Sequence, residues 1–201
     1  MILKNKLEIK EKPSFISWDK IHEALWYAHK DNREKGINMA IPTLSGDKIR
    51  DKIEEENGKM FVALEEDKVV ATGAILIKKL SLWCGKDKYA YLCLGSVLPD
   101  YGRLGIYREM RLIRENEAMA KGINLIVFDT HEKNHRMLDI SKKNGYIPID
   151  IKVCKDHYNI IMVKWLKGCP YSDLYCKCQY LLRKCYRKIR YRPGGIKRLG
   201  I

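Results

Sequence analysis

Between Leu94 and Tyr107 the sequence reads Leu-Gly-Ser-Val-Leu-Pro-Asp-Tyr-Gly-Arg-Leu-Gly-Ile-Tyr, and residue types and spacing here point to chemistry. An apolar strand would run into a glycine-containing turn and then straight into a helix. The unpaired amides of the turn and of the first helical turn then converge on one spot, with the positive end of the helix dipole behind them. Such a place binds phosphate. Two glycines after a strand also make an ordinary tight turn, so the segment needs support from the rest of the chain.

The elements that must position this segment follow from hydrophobic period and turn residues. Residues 4–10 suit a short strand. Ser17 to about Lys35 reads as a helix, with Ile21, Ala24, Leu25 and Ala28 on one face and Gly36 ending it. A second helix fits Lys48 to Glu56, and the apolar, proline-broken stretch Ile37 to Leu44 between them reads as a loop. Met60 to Leu64 and Val69 to Leu80 form a hairpin around Glu65-Glu66-Asp67-Lys68, and Tyr89 to Leu98 is a further strand. Gly105 to Lys121 is a helix with Ile106, Met110 and Ile113 on its apolar face. Asn124 to Asp129, nearly all apolar, reads as a strand covered on both faces. Asn134 to Asn144 is a helix, and Ile147 to Lys155 and Tyr158 to Leu166 are the last strands. The order is mixed α/β.

Composition narrows the class. The chain has 201 residues, 46% hydrophobic, enough to bury one core and to argue against disorder. No run of about 18 apolar residues is present, and Met1 to Lys6 lack the apolar run of a secretory leader, so a soluble, cytoplasmic protein is expected. The net charge of +14 is unevenly placed: residues 167–201 hold ten Lys and Arg against the single acid Asp173, hence +9, and the remainder carries +5. Leu174, Cys178, Leu181, Leu182, Cys185 and Ile189 share one face of a helix over residues 171–190, and Lys177, Arg183, Lys184, Arg187 and Lys188 largely occupy the rest. Seven cysteines, an odd number, are expected to be reduced. Four of them follow C-x6-C-x-C-x6-C over residues 169–185, without the C-x2-C knuckles of zinc sites, so no metal is expected.

Val97-x-Pro99 followed by Gly105-Ile106 at the opening of a helix resembles the signature of the GNAT acyltransferase superfamily, V-x-P with [Q/R]-x-x-G-x-[G/A]. The resemblance continues at Asn134, Met137, Ser141, Gly145 and Tyr146, which stand at the spacing of N-x-x-A-x-x-x-Y-x-x-x-G-[F/Y]. It covers roughly residues 4–166. It implies an α/β (α+β) fold with a mixed, mostly antiparallel central sheet flanked by helices, splayed between the signature strand and the next. An acyltransferase domain of residues 1–166 would then carry a basic, Cys- and Tyr-rich tail over 167–201 with its amphipathic helix.

The same resemblance implies acetyl-CoA, or another acyl-CoA, as co-substrate. Its pyrophosphate would meet the amides of Gly102, Arg103, Leu104, Gly105, Ile106 and Tyr107; its pantetheine arm would lie along Leu94, Ser96, Val97 and Leu98 and meet Asn134. An amine would attack the thioester directly, with a strand amide stabilising the oxyanion and a base taking the proton. The signature strand contains no acid, so Asp129 and His131 at the end of the next strand are the expected base, His131 because its reference pKa of ~6.5 suits the role. His29, Asn32 and Met39 to Thr43 are candidates for the acceptor floor, and Tyr91 and Cys93 for the tunnel wall.

Three of the departures from the pattern bear on the chemistry. Gly102 stands where the family has Arg or Gln, with Arg103 beside it; Tyr107 replaces the last small residue; and Ser141, a much weaker acid, replaces the tyrosine that protonates the departing thiolate. The leading reading is an N-acyltransferase for a small amine or amino sugar, in a monomer or a homodimer. The rivals are a catalytically degenerate member that binds coenzyme A or a partner, and a protein whose tail meets a protein partner or an anionic surface, including the inner face of a membrane. A groove-reading motif or an aromatic-basic RNA signature is missing, so no specific nucleic acid is expected.

Overall fold

The computed structural model describes residues 7–37, 44–79, 88–168 and 171–190. They form two compact units, the first from residues 7–35 and 44–123, the second from 36–37 and 124–190. Among the described residues, seven strands and the helices that flank them make a mixed α/β fold, four strands lying in the first unit and three in the second.

In the first unit, β1 (Leu7–Glu11), β2 (Lys59–Glu65), β3 (Lys68–Lys79) and β4 (Lys88–Val97) pair antiparallel in sequence order. Side chains alternate across the sheet. Met60, Val62 and Leu64 of β2 join Ile21, Ala24 and Leu25 of α1 (Trp18–Ala28) and Ile49 and Ile53 of α3 (Gly46–Glu55) in one buried cluster. Both helices begin as their sequences dictate, Ser17 and Ser45 accepting from the Lys20 and Lys48 amides.

The expected helix from Ser17 to Lys35 is broken. His29 leaves helical geometry at φ −101° and ψ 14°, and a short α2 (Lys30–Glu34) follows. The cause is tertiary: the His29 ring is tied to the carbonyl of Gly95 in β4.

On the opposite face of the sheet lies α4 (Ile106–Ala120). Its buried side differs from the expected Ile106, Met110 and Ile113. Ile106 and Met110 are buried, but Arg111, Arg114, Glu115 and Ala118 complete the face, and Ile113 is only partly covered. The charges can be buried because they are paired: Arg111 Nη1 donates to Glu115 Oε1 at 2.7 Å and Arg114 Nε to the Met110 carbonyl at 3.0 Å.

In the second unit, β5 (Leu125–His131) and β6 (Ile147–Val153) each pair antiparallel with β7 (Tyr158–Trp165). Helix α5 (His135–Lys143) connects β5 to β6, and α6 (Asp173–Arg190) lies against β6. No helix among the described residues is long and apolar enough to cross a membrane.

Candidate active site

The expected phosphate-binding segment is a strand, a bulge, a turn and a helix. Near its end β4 bulges: Ala74 of β3 faces Cys93 and Thr72 faces Ser96, so Leu94 and Gly95 together oppose Gly73. Leu94 takes a left-handed φ of 51°, a strained setting for a leucine. Three contacts hold it there. Thr72 Oγ1 donates to the Leu94 carbonyl at 2.7 Å and lies 2.8 Å from Ser96 Oγ, and His29 Nε2 donates to the Gly95 carbonyl at 3.2 Å. On the other face of the sheet, a Cβ on Gly73 would sit 3.0 Å from Arg114 Cζ, and one on Gly95 3.8 Å from Arg114 Nη1. A buried guanidinium therefore underlies the bulge, at the edge of hydrogen-bond reach of the Ala74 carbonyl.

Past the bulge, Pro99 to Tyr101 make a single 3-10 turn, and the Tyr101 hydroxyl donates to Glu65. Gly105 then opens α4 in a left-handed conformation at φ 80°, with nothing within 4 Å of the place its Cβ would take. Arg103, Leu104 and Gly105 are exposed. The amides of Ile106, Tyr107 and Arg108 form the first turn of α4, where intrahelical acceptors are lacking by geometry. An open glycine, a solvent-facing turn and a helix N-terminus suit a polyphosphate group. The Tyr107 phenol is half-buried within electrostatic reach of Arg114, Arg111 and Glu115; burial pushes its pKa up and the two arginines pull against that rise.

Of the expected acceptor-floor residues, His29 and Asn32 come together at the bulge. Asn32 Nδ2 donates to His29 Nδ1 at 3.1 Å, which leaves the ring proton on Nε2, facing Gly95. Burial lowers the His29 pKa, the bond to Gly95 opposes the shift and nearby Arg33 adds to it, so the neutral ring is favoured. Tyr91 packs against the α1–α3 core with Lys78 Nζ 5.1 Å from its ring centre. The Cys93 thiol is pushed up to about 11 by burial, partly opposed by Lys52, Arg114 and Lys78. Met39 and the loop to Thr43 lie outside the described residues.

The remaining expected residues belong to the second unit. Asp129 accepts a hydrogen bond from Asn159 Nδ2. His131 is buried, stacks on His157 with ring centres 4.3 Å apart, and accepts the Lys133 amide on Nδ1 at 3.0 Å. Burial, and then His157, lower its pKa. The neutral ring thus carries its proton on Nε2 and presents a donor there. Asn134 caps α5 by accepting from the Met137 amide and donates to Thr130 Oγ1, both at 3.3 Å. The buried Ser141 hydroxyl donates to the Met137 carbonyl at 2.7 Å.

Thr72, Gly73 and Arg114 were missed by sequence reasoning. Gly73 carried a usable signal, since a lone glycine inside a Val- and Ala-rich strand marks a bulge or a close approach.

Strand, bulge, left-handed glycine and helix N-terminus together make a segment suited to a polyphosphate group. The sequence matches the model of the acetyltransferase (GNAT) family over residues 17–146, more than half of its length. The chain belongs to that family and is an N-acetyltransferase of its class. It is similar in structure to an acetyltransferase from Streptococcus agalactiae, at 25% identity and a TM-score of 0.62 over 80% of this chain and 98% of that one. The PaiA N-acetyltransferase from Thermoplasma acidophilum in complex with coenzyme A gives 19%, 0.62, 80% and 99%. The ribosomal-protein-S18-alanine N-acetyltransferase from Escherichia coli gives 16%, 0.61, 85% and 99%. A search of curated protein sequences found no significant match.

Proposed function

We propose that this chain moves an acetyl group from acetyl-CoA directly to the amine of a small molecule, an amino sugar or similar acceptor. The observation that carries the reading is the β4 bulge followed by left-handed Gly105 at the start of α4. In this reading the amides from Gly102 to Tyr107 hold the pyrophosphate, and the exposed Arg103 adds charge from beside its usual position. The stretch from Leu94 to Leu98 offers backbone to the pantetheine arm, and Asn134 a side-chain contact. Acetyl-CoA supplies the activated thioester.

Direct transfer is favoured over an acyl-enzyme by the chemistry of Cys93, the thiol of β4. With its pKa at about 11, the thiol stays protonated at neutral pH and is a poor nucleophile. A backbone amide at the bulge would bind the oxyanion, its aim set by Thr72, His29 and the Arg114 beneath it. Asp129 and His131 are the proton acceptors of the reading. Asp129 is the stronger candidate of the two, because His131 spends its Nδ1 lone pair on the Lys133 amide, whereas the Asp129 carboxylate keeps acceptor capacity beside its bond from Asn159. Ser141 would have to give up its bond to Met137 to protonate the departing thiolate.

Incubation with acetyl-CoA and a panel of amines and amino sugars, followed by free thiol release and the mass of the acceptor, tests this. A gain of one acetyl group on an amine, stoichiometric with thiol, is expected. Coenzyme A binding with no release over the whole panel would overturn it.

A further inference from the structure

Helix α6 lies outside the family match and is docked the opposite way round from an ordinary surface helix. At 3.6 residues per turn, Leu174, Cys178, Leu181, Leu182, Cys185 and Ile189 fall within an arc of about 100°. A helix packed on its own protein buries such an arc. Here it faces solvent: Leu174 is 71% exposed, Leu182 65% and Ile189 63%, and Cys178 and Cys185 are exposed with them. The side turned to the second unit holds Cys176, Arg183 and Arg187 instead. Arg187 Nε and Nη2 donate to Asp150 Oδ1 and Oδ2, both at 2.8 Å, and Arg183 Nη1 lies 3.8 Å from Oδ2. Lys188 reaches Glu132 at 3.9 Å and sits over the Tyr158 ring. Arginines thus clamp the helix by one edge and hold its apolar arc outward.

Charge decides what covers the arc. Lys177 and Lys184 flank it along one side, and the tail's only acid is Asp173 at the start of the helix. Arg192, Lys197 and Arg198 follow in sequence. A second copy meeting this face would bring the same lysines with no acids to answer them. A bilayer carrying anionic headgroups supplies both apolar depth and counter-charge. We propose that the outward face of α6 lies in the interface of an anionic membrane, holding the enzyme at the surface without spanning it.

The test is cosedimentation of the full chain with phosphatidylcholine vesicles containing phosphatidylserine, and with phosphatidylcholine alone. Binding is expected to the first and to weaken as salt is raised. Each basic side chain near an anionic surface is worth about fivefold in partitioning, so Lys177→Gln with Lys184→Gln should lower it by about 30-fold. Leu181→Ser with Leu182→Ser should lower it at least about tenfold. Lys177, Leu181 and Leu182 are exposed and Lys184 is half-covered, its ammonium 5.4 Å from the Tyr180 ring centre, so a thermal unfolding curve of each variant serves as a check that it remains folded. Failure of the wild type to sediment with either vesicle would overturn the proposal. So would equal binding by all variants, or a wild-type dimer that the leucine pair turns into a monomer without change in vesicle binding.

Discussion

Replacing His29 tests how the bulge is held. His29→Ala removes the 3.2 Å bond to the Gly95 carbonyl and the partner of Asn32. One neutral, partly buried hydrogen bond contributes about 1 kcal/mol, and loss of the half-buried ring adds about 1 more, so about 2 kcal/mol of stability should go. His29→Gln can still donate to Gly95 and accept from Asn32, and should cost less than about 1 kcal/mol. The two differ from wild type in pH dependence. The folded His29 pKa lies below its ordinary 6.5, so below 6.5 the unfolded chain binds more protons than the folded one. The contribution of His29 is therefore complete above pH 6.5 and is lost as pH falls through the folded pKa. His131 has the same sign, which is why the informative quantity is the difference between wild type and His29→Gln. Urea denaturation at pH 8 and pH 5.5 should show wild type losing its advantage over His29→Gln at the lower pH. With the bulge loosened, kcat of His29→Ala should fall about tenfold while the acetyl-CoA KM moves less. An unchanged stability in His29→Ala, or a wild-type advantage that grows on acidification, would refute the reasoning.

Gly73→Ala places a methyl 3.0 Å from the buried Arg114 guanidinium and should cost about 2 kcal/mol in urea denaturation, whereas the 3.8 Å approach at Gly95 lets Gly95→Ala pass with less than about 1 kcal/mol. Asp150→Asn removes the carboxylate that Arg187 clasps with two bonds. Because Arg187 keeps 40% of its side chain in water, the loss should be only about 1–2 kcal/mol, read as roughly tenfold faster amide exchange in α6. Ser141→Ala should change kcat less than about twofold, since the hydroxyl is already committed to Met137; a loss approaching 100-fold would make Ser141 the general acid.

The turn from Leu98 into α4 was legible because its logic is local: proline, then glycine, then an amphipathic run. The bulge was not, since it exists only in the register of β4 against β3, where Leu94 and Gly95 share Gly73. The sequence pattern of α4 picked out Ile106, Met110 and Ile113, whereas the burial of Arg111, Arg114 and Glu115 depends on pairing that a helical wheel cannot show. Sequence likewise separates the two faces of α6 but does not say which one docks. The answer lay in Asp150, an acid in β6 with nothing about its neighbours to mark it. At His29 a continuous helical pattern is overruled by one long-range bond.

The central claim is that the turn opening α4 receives the pyrophosphate of coenzyme A. Titration calorimetry with coenzyme A and with pantetheine, which lacks the phosphates, on wild type and Gly105→Ala tests it most directly. An alanine at φ 80° is strained by about 1 kcal/mol or more and should turn the first amides of α4 away. The account predicts that wild type prefers coenzyme A strongly, and that Gly105→Ala weakens coenzyme A by about tenfold while leaving pantetheine unchanged. Equal affinity of wild type for the two ligands, or a Gly105→Ala variant that binds coenzyme A as tightly as wild type, would contradict it.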